Sequence, residues 1–142
     1  MKIMAIDYGD AHTGVAVSDR TLTLCGFTTV ITAYRPDAVI ERLRPLIAEH
    51  EVTELVLGHP LNMDGTRGPR AEKAEAFAEA LRAKTGLPVT LWDERRTTID
   101  AHNILAAGGK RAKERKKTVD AVAASLMLEG YLTYKKRTAG TV

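Results

Sequence analysis

Three carboxylates stand apart in this sequence because of what surrounds them. Asp7 ends an apolar run and opens Asp7-Tyr8-Gly9, with Gly14, Ala16, Ser18 and Asp19 following. Glu94 closes a second apolar run, Leu87-Pro88-Val89-Thr90-Leu91-Trp92, within Asp93-Glu94-Arg95. Asp120 opens a strongly apolar stretch just after Lys116 and Lys117. Acids that are distant in sequence, two at strand ends and one on a helix, supply the hard oxygen ligands that Mg²⁺ or Mn²⁺ takes. One or two such ions can activate a water and stabilise the leaving oxygen in phosphodiester cleavage. The pattern points to metal-dependent hydrolysis of phosphodiesters.

The surroundings of each acid sharpen this reading. Neighbours on a strand point to opposite faces, so only one of Asp93 and Glu94 can enter such a site. The other would pair with an arginine or cap the helix that follows, and the residues by themselves leave the choice open. Asp120 shares its helical face with Ala123, Ala124, Met127 and Tyr131. A carboxylate on that face lies against a packed surface and needs a partner or a metal. Gly9 and Gly14 allow a tight turn and the close approach of a phosphate.

Polar and basic residues suggest where a nucleic acid would lie. Six of the eight residues from 110 to 117 are Lys or Arg: Lys110, Arg111, Lys113, Arg115, Lys116 and Lys117. Such a run neutralises phosphates, although it also suits a solvated face. Arg95 and Arg96 could hold a scissile phosphate or orient a carboxylate. In the loop from His59 to Gly68, Asn62, Asp64 and Thr66 could contact phosphates or bases, or tie the loop through Asx turns. Arg67 and Arg70 add charge there. His59 reads better as a packed histidine than as a general base, and the single Cys25 as a small buried residue.

Composition sets the frame. The chain has 142 residues, 44% hydrophobic and 27% charged, with net charge +3 and pI about 9.1. That fits one domain over residues 1–138 with a frayed tail at 139–142. No apolar run reaches the ~20 residues of a membrane span. One cysteine, and an N-terminal apolar stretch cut short by Asp7, suit a reducing cytoplasm and no signal peptide.

Hydrophobic periodicity predicts strands at 2–8, 14–18, 27–32, 55–58 and 87–92. It predicts helices at 36–50, 69–85, 97–107 and 118–134, with Pro45 able to kink the first and Gly86 stopping the second. The basic stretch 110–117 has no apolar period and reads as a mobile loop, and the chain after Tyr134 as frayed. Two hairpin-linked strands followed by strand–helix–strand crossovers imply an α/β fold with a mixed five-stranded sheet flanked by helices. Its site would lie beyond the carboxyl ends of the parallel strands.

The chain resembles the YqgF/RuvX family of Holliday-junction-resolvase-like and pre-16S rRNA processing nucleases. The matching stretches are Asp7-Tyr8-Gly9 through Gly14-Val15-Ala16-Val17-Ser18-Asp19, Gly58 with Pro60-Leu61-Asn62-Met63-Asp64-Gly65-Thr66, Asp93-Glu94-Arg95 with Thr97, and Asp120-Ala121-Val122-Ala123-Ala124. The resemblance implies a ribonuclease H-like fold, an acidic triad of Asp7, Glu94 and Asp120, and bound Mg²⁺ or Mn²⁺. It also implies a cytoplasmic monomer or weak homodimer acting on precursor rRNA or branched DNA. It selects Glu94 over Asp93 as the inward acid and places Thr97 beside the substrate. Two other classes remain as alternatives. One is an ATP-dependent phosphotransferase, which would need two such domains. The other is a non-catalytic RNA-binding factor in ribosome assembly.

Overall fold

The computed structural model describes residues 2–22, 24–93 and 112–140, with side chains left aside at 112–120 and 137–140. Within them lie five strands: β1 (Lys2–Asp7), β2 (His12–Ser18), β3 (Cys25–Thr32), β4 (Val52–His59) and β5 (Val89–Asp93). Three helices accompany them: α1 (Pro36–Glu49), α2 (Pro69–Thr85) and α3 (Ala112–Gly140). The strands form one mixed sheet in the order β3-β2-β1-β4-β5. β1 pairs antiparallel with β2 and parallel with β4, and β4 pairs parallel with β5. The carboxyl ends of β1, β4 and β5 therefore share one edge.

Strand alternation divides the core between two faces. Met4, Ile6, Val15, Val17, Leu55 and Leu57 pack against Val39, Ile40 and Leu43 of α1 and Ala74, Phe77, Ala78 and Leu81 of α2. Ile3, Ala5, Ala16 and Val56 pack against Ala124, Met127, Leu128, Tyr131 and Leu132 of α3. Alanines on both sides of the second interface let α3 approach the sheet closely.

Contacts near its C-terminal end tie α3 to β4 and β5. The Tyr131 hydroxyl donates to Glu54, and Lys135 Nζ lies 2.7 Å from the other oxygen of Glu54. The Trp92 ring of β5 meets those of Tyr131 and Tyr134 at 5.6 and 5.7 Å.

Several boundaries differ from the sequence expectation. β2 begins at His12, because Thr13 pairs with Ile31 and His12 with Thr32; the cross-strand ladder overrides the local turn signal at 10–13. Pro45 neither ends nor replaces a turn of α1. The carbonyl it leaves without a donor belongs to Glu41, an exposed residue. Gly86 caps α2 in the left-handed region, φ 70°, with its N–H donating to the Arg82 carbonyl at 3.0 Å. The main correction concerns the basic run, expected as a loop. Residues 112–117 are the first turns of α3, and α3 continues past Tyr134 to Gly140. Lys, Arg, Glu and Ala are all strong helix formers and no Gly or Pro interrupts them, so absence of an apolar stripe does not mean absence of a helix. The predicted helix 97–107 lies outside the described residues.

Candidate active site

The acidic edge is built from strand ends. Asp7 closes β1 on the same face as Ile3 and Ala5, the face covered by α3. It is half-buried, and its carboxylate has no hydrogen-bond or ion-pair partner among the described residues. A hard anionic oxygen left in that state at a sheet edge is suited to a divalent cation. Gly9 follows in the turn to β2. A Cβ there would stand 2.4 Å from the His12 carbonyl oxygen, so only glycine lets the chain turn so tightly behind Asp7.

Position 120 lies on α3 about three helical turns before Tyr131. The positions that share its helical face, Ala123, Ala124, Met127 and Tyr131, are all buried, as their spacing predicts. The basic positions Lys113, Arg115, Lys116 and Lys117 occupy the α3 turns N-terminal to position 120. Glu94, Arg95, Thr97, Lys110 and Arg111 lie outside the described residues.

Asp93 points away from Asp7. It pairs in register with His59, and His59 meets α2 rather than α3, its Nε2 lying 2.7 Å from Glu75 Oε2. His59 is thus a tied, mostly buried histidine on the opposite face of the sheet.

Nothing in the sequence pattern singled out Glu75. Besides His59 it receives Arg67, whose Nε donates to Oε2 at 2.7 Å and whose Nη2 donates to Oε1. The fork holds Arg67 against α2, although that side chain stays 56% exposed. The hydrogen bond from Arg67, and next the one from His59, hold the Glu75 carboxyl below the usual carboxylate range. A depressed folded-state value contributes stability that is present above the unfolded value and is lost as pH falls through the folded one. Glu75→Gln should therefore lower the melting temperature by a constant amount above about pH 5. That gap should close at lower pH as the parent protonates; a gap independent of pH down to full acid unfolding would show that the charge plays no part.

The loop after β4 is organised from within. The Asn62 N–H donates to the Thr66 carbonyl at 2.9 Å, and the Gly65 N–H to the Asn62 carbonyl at 2.8 Å. Asn62 Nδ2 donates to Thr66 Oγ1 at 2.9 Å, which in turn donates to Asp64 Oδ1 at 2.6 Å. The Asx-turn reading of Asn62, Asp64 and Thr66 is realised, and their exposed outer surface lines the same sheet edge. Behind it, Tyr8 stacks on Phe77 at 4.1 Å and 3°. Burial, and next the Asp10 carboxylate, keep the Tyr8 phenol protonated above its ordinary value.

A mixed sheet with β1, β4 and β5 parallel, α3 across one face and Asp7 at the shared edge has the ribonuclease H-like fold. The solved structures agree on the fold. Thermus thermophilus RuvC in complex with a Holliday junction substrate superposes with TM-score 0.64 at 15% identity, over 97% of both chains. The yeast mitochondrial Holliday junction resolvase gives 0.61 at 12% identity, over 97% of this chain and 80% of that one. The chain belongs to the RuvX family, described as Holliday junction resolvase, whose model matches residues 1–134. Relatives named as candidate pre-16S rRNA nucleases occur in Halothermothrix orenii and Desulfitobacterium hafniense. The first is 41% identical over 99% of this chain and 100% of its own length. The second is 45% identical over 99% and 97%.

Proposed function

We propose that this nuclease is divalent-metal-dependent and acts on structured nucleic acid, with precursor 16S ribosomal RNA as its substrate. The observation that carries the reading is the half-buried Asp7 carboxylate at the carboxyl edge of β1, which has no partner among the described residues. Asp7, Glu94 and Asp120 would hold one or two ions of Mg²⁺ or Mn²⁺. Asp93, on the α2 face with His59, supports Glu94 as the inward acid of its pair. Bound there, the metal would lower the pKa of a water and offset charge on the phosphorane.

The remaining residues bind and orient the strand. Lys113, Arg115, Lys116 and Lys117 on α3, with Lys110 and Arg111 before them, would neutralise backbone phosphates. Arg95, with its planar fork, suits the phosphate under attack, and Thr97 would donate a hydroxyl nearby. Asn62, Asp64 and Thr66 would act through the shape of their loop, and Gly9 by leaving room for the substrate. Arg67 would contribute through its face not engaged by Glu75.

The names of the relatives favour ribosomal RNA, and a monomer or weak homodimer in the cytoplasm suits that role. Among the described residues no helix is long and apolar enough to cross a membrane. A second reading, resolution of four-way DNA junctions, is favoured by the fold match to a resolvase seen with its junction. A cleavage assay with Mn²⁺ or Mg²⁺ decides between them, offering a precursor ribosomal RNA fragment and a synthetic four-way DNA junction in parallel. Cutting of the RNA alone is the expected result. Cutting of the junction alone would reassign the substrate, and salt-sensitive binding without cutting would leave a non-catalytic assembly factor.

A further inference from the structure

An open cleft lies at the carboxyl edge, on the sheet face opposite Asp7. Tyr8, Asp10, Tyr34, Pro36, Lys73 and Phe77 line it, and its volume is about 460 Å³. Its floor is the Tyr8–Phe77 stack, with Phe77 only 2% exposed. At its rim Tyr34 is 78% exposed. The backbone that carries this ring is fixed: the Ala33 N–H donates to the Ala11 carbonyl at 3.0 Å, and Pro36 starts α1 two residues later. Lys73 and Asp10 meet at only 3.7 Å, with side chains 68% and 85% exposed. An exposed ion pair of that kind contributes little to stability, so the ammonium is available to an incoming phosphate.

An aromatic ring held in water beside an apolar cleft and a mobile cation offers what a nucleotide needs, a π-face for the base and a charge for its phosphate. The volume falls within the range of small-ligand clefts. Location narrows the source. Tyr8, on the floor of the cleft, directly follows Asp7 in the chain, so the cleft borders the edge at which the nuclease reading places the cut.

We infer that this cleft takes an unpaired nucleobase of the substrate strand beside the scissile phosphate, stacked on Tyr34 with Lys73 on its phosphate. The placement beside a scissile phosphate rests on the nuclease reading above. It implies that the preferred substrate has unpaired nucleotides next to the cut.

Binding without metal tests this independently of cleavage. The probes are a single-stranded RNA oligonucleotide and an abasic ribose-phosphate chain of the same length, titrated in the presence of a chelator. Tyr34→Ala should weaken binding of the RNA at least about fivefold, the lower end for loss of one stacked base, and leave binding of the abasic chain unchanged. Tyr34→Trp should restore the RNA affinity, and Lys73→Ala should weaken both probes equally. The ring is exposed, so melting temperatures should match the parent. RNA affinity unchanged in Tyr34→Ala, or lost equally on the abasic chain, overturns the inference. If that happens while the parent still cuts with metal, the nuclease reading stands alone. If the Tyr34 effect holds but no substrate is ever cut, the cleft is a base-binding site and the nuclease reading fails.

Discussion

Asp7→Asn is expected to remove cleavage, lowering the single-turnover rate roughly 10³-fold or more, while leaving the fold and nucleic-acid binding intact. Asparagine keeps the shape of the side chain and one oxygen but removes the charge. Metal-assisted stabilisation of a phosphoryl transition state supplies several kcal/mol, and each 1.36 kcal/mol is a factor of ten in rate. The substitution orphans nothing, because Asp7 has no partner among the described residues. Stability without metal should therefore stay within about 0.5 kcal/mol of the parent. Metal linkage provides a second readout: Mn²⁺ should raise the melting temperature of the parent by binding the folded state and should have a smaller effect on Asp7→Asn. Cleavage at the parent rate would mean that the catalytic metal is held elsewhere.

Ala124→Leu is expected to damage stability and activity together. Ala124 is fully buried and packs in the cluster with Ala5, Ala16 and Val56. Three added carbons in a close-packed interface cost about 1–3 kcal/mol. The strain is relieved by lifting α3 from the sheet, and position 120 lies one turn away on the same face. A misplacement near 1 Å in a catalytic group costs on the order of 10²-fold in rate. Leu132→Met provides the control. Leu132 is 2% exposed in the same cluster but more than three turns from position 120. A volume-conserving change there should cost less than about 1.5 kcal/mol and leave cleavage unchanged. If Ala124→Leu is destabilised yet cleaves like the parent, α3 does not position a catalytic residue.

Much of the frame was legible because the relevant signals are local. Alternation and β-branched runs marked all five strands, and Gly86 marked the observed end of α2. Strand boundaries slipped by one residue at β1 and by more at β2, β3, β4 and β5, where pairing with a neighbour extends or trims a strand beyond its own hydrophobic pattern. The basic run was misread because a helix needs no apolar stripe where one side is not packed; propensity and continuity with the apolar half of α3 carry it.

The acids show where the division falls. Sequence by itself determined that carboxylates end two strands and open the apolar part of a helix, and that Ala123, Ala124, Met127 and Tyr131 make a buried stripe. Both follow from residue type and period. Only the tertiary structure decided that α3 covers the sheet face on which Asp7 lies, with Tyr131 and Lys135 meeting Glu54 across 77 and 81 residues of chain. Only it placed His59 and Asp93 on the face away from Asp7, tied Arg67 to Glu75, and set Tyr34 beside Tyr8 and Phe77. Those relations join segments with no shared periodicity, so they exist only once the sheet order has been set.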